Sequence, residues 1–369
     1  MNYKKIFIAS VLKPVDDVRH FDKLACSLAK ANKYQIFILG KGSIKKTEND
    51  LISFWNTGYF KRKSFHRLIV QITFLRKISA LKPDLIIITS LELLPLASLF
   101  KKWFRYKLVY DVQENYLSNI RYQNEYPTLE KLILIPIINL TQRIFHRRVD
   151  HFLLAEKSYS TEVANLGNRY TILENKTGLS KIKLKVKKWD GNEPLILIFS
   201  GTISEYSGIK IAIEIFEKIQ KHVPSSRLKV IGCYHDLNLQ KFLKSKAEEN
   251  PSIELYTDST PIEHDLILQA ITTSHLGMIS YKPNETNKKR VPTKLFEYAS
   301  YGLPYLIDQH PYWLSRSQEM GGAIPIDIGS FDVEKAIKQY RQLLEWDRKK
   351  SLWLDEEVTL INLIKQLIK

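Results

Sequence analysis

Residues 291–304, VPTKLFEYASYGLP, place a cation and a carboxylate in one predicted helix. Pro292 precedes this helix and a glycine follows it, which are the positions where these two residue types favour helix ends. Backbone amides at a helix N-terminus attract anions, and Lys294 in the first turn adds a positive charge at the same place. Glu297 lies one turn further along the same face, where a carboxylate can accept hydrogen bonds from a diol. The pattern indicates a site for a phosphate and a ribose, although a capped helix with a surface Lys–Glu pair explains it equally well.

A second segment, FSGTISEYSGI over residues 199–209, follows a predicted strand and leads into a predicted helix. Gly201 lets the backbone approach a ligand closely, and Gly208 suits the turn into the helix. Two glycines in such a turn are a weak signal alone. Lys294, Lys210 and the KKR run at 288–290 are the cations that could neutralise a phosphate here, and a solvated loop is the alternative for that run.

Two polar segments in the first half of the chain also follow predicted strands. KLVYDVQENY, residues 107–116, ends with Gln113 and Glu114, and the Gln113 amide can hydrogen-bond a hydroxyl but cannot act as an acid or base. KPVDDVRHF, residues 13–21, carries Asp16 and Asp17 before a predicted helix. One of these aspartates fits the helix N-cap, and the other could contact hydroxyl groups or act as a base.

These segments together carry a family resemblance. P-x-K-L-F-E-Y-x-x-x-G-x-P over residues 292–304 resembles the donor-nucleotide segment of GT-B glycosyltransferases, especially the large retaining family four. The other three segments are similar to the glycine loop, the D-x-H-E stretch and a P-x-D-D-x-R subgroup segment of that family. The chain departs from the family pattern where Lys289 replaces the first glutamate of the E-x7-E motif and Gln113 replaces the histidine. Thr202 and Ser207 stand at two slots that are basic in the family.

The resemblance implies an enzyme that moves a sugar from a nucleotide-sugar donor to an acceptor. It implies retention of the anomeric configuration, with no metal ion and no other cofactor. Glu297 would bind the donor ribose, Gln113 and Glu114 would contact the sugar, and Asp17 would contact the acceptor. The implied residues are Asp17, Gln113, Glu114 and Lys294 in catalysis, and Gly201, Thr202, Lys289, Thr293, Lys294 and Glu297 in donor binding.

Short apolar runs alternate with longer segments of helical period along the whole chain, which is typical of parallel α/β sheets. We predict an α/β protein of two tandem doubly wound, Rossmann-like domains of the GT-B type that face a cleft, with six strands in the first and five in the second. The predicted boundaries are 1–175 for a basic acceptor domain, 176–194 for a lysine-rich linker, 195–345 for the donor domain and 346–369 for C-terminal helices that pack back on the first domain.

The positive charge is distributed unevenly. The 369 residues include 56 Lys and Arg against 39 Asp and Glu, for a net charge of +17. Residues 1–190 carry a net +18 and residues 191–369 a net −1. Basic residues alternate with aromatics at 59–67, 101–107 and 143–148, and the apolar segment 132–145 is a candidate for shallow membrane insertion. We therefore expect a peripheral protein on the cytosolic membrane face, with an anionic membrane surface as partner; an ordinary solvated surface is the alternative.

A lipid-linked glycan is the expected acceptor, and no nucleic-acid partner is expected, although a basic nucleic-acid-binding protein remains an alternative. A non-hydrolysing nucleotide-sugar epimerase of the same fold is the other alternative, and the basic first half argues against it. Two distant cysteines, Cys26 and Cys233, fit a reducing cytoplasm and no disulfide framework. No histidine spacing suggests a metal site.

Overall fold

The computed structural model describes residues 3–42, 49–61, 64–122, 127–178, 186–260 and 262–369. The chain divides into two compact units. The first unit is formed by Met1–Asn175 together with Trp353–Lys369, and the second unit by Lys176–Leu352. Each unit is built on a parallel sheet with helices on both faces, which confirms the predicted α/β class with two Rossmann-like domains.

The sheet of the first unit has seven parallel strands in the order β3-β2-β1-β4-β5-β6-β7. Its strands are β1 (Lys4–Pro14), β2 (Tyr34–Lys41), β3 (Ile52–Asn56), β4 (Leu85–Ile88), β5 (Lys107–Val112), β6 (His151–Leu154) and β7 (Tyr170–Ile172). Its helices are α1 (Cys26–Lys30), which continues a π-helical stretch at Val18–Ala25, then α2 (His66–Leu81), α3 (Leu94–Phe104), α4 (Tyr116–Tyr122), α5 (Thr128–Phe145) and α6 (Tyr159–Glu162). The strand order reverses between β1 and β4, which is where open α/β sheets bind ligands at the carboxyl ends of the strands.

The sheet of the second unit has six parallel strands in the order β10-β9-β8-β11-β12-β13. Its strands are β8 (Ile196–Ile203), β9 (Arg227–Tyr234), β10 (Ile253–Asp258), β11 (Leu276–Ile279), β12 (Tyr305–Asp308) and β13 (Ala323–Ile326). Its helices are α7 (Ile209–His222), α8 (Leu237–Glu249), α9 (His264–Thr272), α10 (Thr293–Tyr301), α11 (Pro311–Met320) and α12 (Val333–Gln342). The order reverses between β8 and β11, so the segments that follow these two strands lie beside each other.

Each sheet separates two apolar clusters. In the first unit, Phe7 points to one cluster and the adjacent Ile8 to the other, because successive side chains of a strand alternate between its faces. Strand β4, with the sequence LIII, is buried along its whole length, as expected for a strand covered on both faces. The last helix, α13 (Asp355–Leu367), completes one cluster of the first unit with Leu360 and Ile364.

The strands that the sequence did not predict are β3 and β13, which both lie at sheet edges. Strand β3 is only half-buried, and β13 contains Pro325, so neither forms the continuous apolar run that identifies a central strand. The predicted linker 176–194 also differs from the structure, apart from residues 179–185, which lie outside the described residues. Val186 and Trp189 are buried in the second unit, and the ring of Trp189 packs against Tyr340.

This division changes the distribution of charge. The lysine-rich segment that was interpreted as a linker is counted with the second unit. The first unit then has 30 basic and 18 acidic side chains, and the second has 26 and 21. With this boundary the second unit carries a net +5 in place of the −1 of residues 191–369, and the first unit is the more basic of two cationic units.

Gly208 supplies a test of the packing next to β8. Its φ is +81°, and a Cβ added there would lie 1.9 Å from the backbone oxygen of Ser280. We expect Gly208→Ala to lower the free energy of unfolding by about 3 kcal/mol or more, from left-handed strain plus overpacking. Gly191 is the control, because its φ is +92° but no atom lies within 4 Å of the added Cβ. Urea denaturation should show only about 1 kcal/mol of loss for Gly191→Ala, and equal losses for the two variants would contradict this account.

Candidate functional site

Helix α10 presents its N-terminus near the end of β8. It begins after Pro292, no side chain caps its first turn, and it ends at Gly302, whose φ is 77°. The first-turn amides, including that of the exposed Thr293, therefore lie at the positive end of the helix dipole without a carboxylate or hydroxyl on them. This end of α10 is suited to an anion.

Lys294 lies in the first turn of α10 and is 4% exposed. Its Nζ has no hydrogen-bond partner in the described part of the chain. The Nζ lies 3.8 Å from the ring centroid of Phe199 and 5.4 Å from that of Tyr281. Aromatic faces stabilise a cation only weakly compared with the water it has lost. The site thus holds a desolvated amine with unused hydrogen-bonding capacity.

Burial lowers the pKa of Lys294 to about 7, against the opposing effect of the Glu297 carboxylate. Gly201 lies beside this side chain, because a Cβ at Gly201 would make an ordinary van der Waals contact of 3.4 Å with Cε of Lys294. Gly201 also has a φ of +89°, a conformation that side chains rarely adopt. The glycine and the lysine singled out in the sequence are therefore neighbours, and the arrangement favours binding of a negative group that returns Lys294 to its charged form.

Glu297 is also partly buried, with a side chain that is 18% exposed. Its Oε1 lies 2.7 Å from Nε2 of His264, the first residue of α9. Among the described residues, this is the only partner of the carboxylate. One oxygen is thus held by the imidazole while Oε2 keeps its lone pairs for another donor. The sequence reasoning missed His264, which lies 33 residues before Glu297 with no local motif to connect them.

The other donor-site candidates of the second unit lie elsewhere. Thr202 is exposed and still belongs to β8, so the predicted glycine loop begins later than the sequence suggested. Ser207 is buried and bonds with Ser204, which gives it a role in the turn. Lys210 pairs with Glu205, and Lys289 is exposed. Lys294 is therefore the candidate cation that the structure brings next to Gly201.

In the first unit, Asp17 is the N-cap of the helical stretch that begins at Val18. Its Oδ1 accepts the backbone amides of Arg19 at 3.0 Å and His20 at 3.2 Å. Burial raises the pKa of Asp17, but the nearby His20 ring, the Lys13 ammonium and these two amides outweigh it, so that the pKa is lowered overall. A carboxylate held in this way is a weak base, and the capping role anticipated as the alternative is present.

A buried ion pair lies beside this cap. Asp111, at the end of β5, is fully buried, and its carboxylate lies 2.7 Å from Nη2 of Arg19. Nε of Arg19 donates to both carboxylate oxygens, at 3.1 and 2.9 Å, and Nη1 donates to the backbone oxygen of Leu173 at 2.9 Å. The bidentate geometry neutralises both charges and joins the first helix to two strand ends.

Gln113 extends this network. Its Nε2 lies 2.8 Å from Oδ2 of Asp111 and 2.9 Å from Nε2 of the buried His20. Because a carboxylate only accepts hydrogen bonds, the amide nitrogen must face Asp111, and its second proton is then directed at His20. Burial lowers the pKa of His20, which favours the neutral ring that can accept this proton. Oε1 of Gln113 has no partner among the described residues and is presented as an acceptor.

Glu114 does not join the network. It is exposed, and its Oε2 accepts a hydrogen bond from Nδ2 of Asn119 at 3.2 Å. Of the residues implied by the resemblance, the structure thus brings Lys294, Gly201 and Glu297 together in the second unit, and places Asp17 near Gln113 in the first. The described residues contain no group of three or more His, Cys, Asp or Glu side chains that could hold a metal ion.

No family model matches the chain, and no curated protein matches its sequence. Solved structures do match it over nearly its full length. Sucrose-phosphate synthase from Thermosynechococcus elongatus aligns with a TM-score of 0.70 at 12% identity and covers 99% of each chain. The Anabaena protein HepE in complex with UDP has a TM-score of 0.63 at 12% identity over 98% of each chain. WaaG, a glycosyltransferase involved in lipopolysaccharide biosynthesis, has a TM-score of 0.60 at 11% identity over 97% of this chain and 95% of its own.

At these identities the likeness shows the fold. The chain shares with these structures, over nearly its whole length, the GT-B type of architecture that the sequence predicts.

Proposed function

We propose that the protein is a glycosyltransferase that uses a nucleotide-sugar donor. The observation that carries this proposal is the buried Lys294 amine, which has no hydrogen-bond partner among the described residues and lies one helical turn from Glu297. A diphosphate at the N-terminus of α10 would accept hydrogen bonds from the amine and from the helix amides. The ribose of the same nucleotide would reach Oε2 of Glu297.

The same groups supply the chemistry of transfer. When the acceptor oxygen forms its bond to the anomeric carbon, the bond from that carbon to the donor phosphate breaks and the diphosphate leaves with its electron pair. Lys294 and the amides of Thr293 and Gly201 lie where they would stabilise this developing charge. Fixed protein charges and dipoles suffice for this role, so we propose that no metal ion takes part.

The comparisons support a donor of this class. One similar structure was obtained with UDP and another with UDP and glucose, both of the Anabaena protein HepE. The similar proteins also include an alpha,alpha-trehalose-phosphate synthase from Burkholderia vietnamiensis, which is described as UDP-forming. We extend the donor class, a nucleoside diphosphate sugar, to this chain.

In the first unit we assign the sugar contact to Gln113 and the acceptor contact to Asp17. Oε1 of Gln113 is an acceptor without a partner among the described residues, so it suits a sugar hydroxyl and not a carboxylate. The capped Asp17 is better suited to a hydroxyl contact than to proton abstraction. We therefore keep retention of configuration as the proposed outcome, with the donor phosphate taking the acceptor proton.

The acceptor that we propose is a glycan intermediate, carried on a lipid, at the cytosolic face of a membrane. WaaG and the lipopolysaccharide outer core galactosyltransferase WaaB are among the similar structures. The basic character of the first unit agrees with an anionic membrane surface.

Glu297→Ala tests the ribose contact. We expect one of a panel of nucleoside diphosphates to raise the melting temperature of the wild-type protein, since a ligand that binds only the folded state stabilises it. The shift should disappear in Glu297→Ala. Glu214→Ala, which removes an exposed glutamate of α7, is the control and should keep the shift. If no nucleoside diphosphate of the panel changes the melting temperature of the wild-type protein, the proposal is contradicted.

Lys294 predicts a pH dependence of donor binding. An anion raises the pKa of Lys294 above its value of about 7, so binding at pH 8 takes up a proton and weakens as the pH rises. At pH 6 the amine is already charged and no uptake by Lys294 is expected. Calorimetry with the nucleoside diphosphate in two buffers of different ionisation enthalpy measures this uptake.

Lys294→Met is the matched variant, because it keeps the length of the side chain and removes the amine. It should lose the proton uptake at pH 8 and bind the nucleoside diphosphate about 10- to 100-fold more weakly. Binding of the parent nucleoside should change little. Equal proton uptake by Lys294→Met and the wild type would show that another group titrates.

The Gln113 network predicts the tautomer of His20. Nε2 of His20 should be unprotonated, and its ring should remain neutral below the ordinary histidine pKa of 6.5. NMR of protein labelled with 15N at histidine would show this, with His20→Asn to assign the signals. In Gln113→Leu the preference for the Nδ1–H form should weaken. A His20 ring protonated at Nε2 in the wild type would contradict the proposed orientation of the amide.

A further inference from the structure

Helix α5 carries apolar side chains on the side that faces away from the sheet. Ile138 and Gln142 are the buried residues of this helix, and six of its exposed residues are large and aliphatic. Leu129 is 71% exposed and Leu132 is 67% exposed. The large exposed apolar side chains of α5 are Leu129, Leu132, Ile133, Ile137, Leu140 and Ile144. Since they recur at spacings of three and four residues, they form one outward stripe.

Two neighbouring helices extend this apolar surface. Helix α3 packs beside α5, and α2 packs beside α3, on the same face of the sheet. The outward side of α2 carries Leu68, Ile69 and Ile72, and Phe65 precedes it. Helix α3 contributes Leu99 and Trp103, the latter 81% exposed. We call the outward side of α2, α3 and α5 the apolar face.

The apolar face has a cationic border. Six exposed basic residues lie on these helices or at the C-terminal ends of α3 and α5: Arg76, Lys102, Arg105, Arg143, Arg147 and Arg148. Glu130 is the single acidic residue in the sequences of the three helices. Two further cations of the sequence-predicted patches, Arg62 and Lys63, lie outside the described residues. Charge complementarity therefore requires an anionic partner.

We propose that the apolar face docks on an anionic lipid bilayer, with α5 lying in the plane of the interface. An apolar helix surface bordered by arginine and lysine is the combination that binds such an interface. Exposed apolar patches of this extent on a soluble domain mark an interaction site. No helix in the described ranges is long and apolar enough to cross a membrane.

Other occupants fit the face less well. A second copy related by a two-fold axis would bring the same six cations against one another, which opposes association. A nucleic acid would be held through its phosphates by the cations, and the aliphatic side chains of α5 would then stay exposed to water. An anionic bilayer can bury the aliphatic stripe in its acyl region and pair the cationic border with its headgroups.

Flotation with vesicles tests this docking on the full chain without any sugar substrate, so its outcome is independent of the proposed transferase activity. The vesicles are phosphatidylcholine alone or with about one third phosphatidylglycerol. We expect binding to the anionic vesicles and little to the neutral ones. The double variant Ile137→Ser with Leu140→Ser should bind the anionic vesicles at least about ten-fold more weakly.

Two matched controls separate the apolar face from general surface changes. Leu344→Ser with Val358→Ser replaces exposed apolar residues, 83% and 60% exposed, that lie outside the three helices. Lys241→Ser with Lys244→Ser removes two exposed cations of α8 and is compared with Arg143→Ser with Arg147→Ser. The controls should bind as the wild type does, whereas the arginine variant should lose about ten-fold or more on anionic vesicles.

The fluorescence of Trp103 independently reports how deeply the apolar face inserts into the bilayer. The structure describes all six tryptophans, and Trp103 is the exposed one among them. Brominated lipids should quench its fluorescence in the wild type, and Trp103→Phe should lose most of that quenching. The proposal is overturned if the wild-type protein does not float with anionic vesicles, or if the Ile137 and Leu140 variant binds equally well. It is also overturned if the wild-type protein does not bind lipid but sediments as a dimer, and the Ile137 and Leu140 variant sediments as a monomer. The apolar face would then be an interface between two copies of the chain.

Discussion

Parallel strand pairing is the constraint on which both units depend. Each parallel connection must return the chain across a face of the sheet, so helices cover both faces and only the strand ends remain open. The polar groups of the two sites lie at these strand ends. In the second unit they are Gly201, near the end of β8, and the N-terminus of α10, which follows β11; in the first unit they are Asp111 and Gln113, at the end of β5. The same constraint places α2, α3 and α5 on the surface of the first unit, where the side of each helix that does not pack on the sheet is exposed.

Two of the buried cations in the described residues, Arg19 and Lys294, show how burial is compensated in different ways. Arg19 has its full counter-charge in Asp111, and the bidentate pair with its further bond to Leu173 leaves little for a substrate to add. Such a pair is structural, and removing one partner would leave the other charge buried alone. Lys294 has aromatic rings in place of a carboxylate, and it keeps its donors. An incompletely compensated charge at a strand end is suited to binding an anion. The difference in partners therefore assigns Arg19 a structural role and Lys294 a binding role, independently of any similar protein.

The sequence was sufficient for the fold class because apolar runs and helical periods are local properties. It also predicted that Lys294 and Glu297 share a face, since both lie on one helix. It could not predict His264 beside Glu297, or Arg19 and His20 beside Asp111 and Gln113, because these contacts join residues 33 to 93 positions apart. The edge strands β3 and β13 were missed for a related reason: an edge strand is recognised by its neighbour more than by its own composition. The lysine-rich segment was misassigned because its charge masked the buried Trp189.

The position of Trp353–Lys369 has a consequence for the order in which the protein is made. Trp353 is buried in the first unit, where its Nε1 donates to Oγ of Ser27, and Leu360 and Ile364 fill the same cluster. On the ribosome, residues 1–175 therefore emerge with one side of their sheet incompletely covered, while the contiguous second unit can finish folding. The first unit is therefore the first to be synthesised and the last to complete its fold. Its incomplete apolar cluster stays accessible to chaperones while the second unit is synthesised.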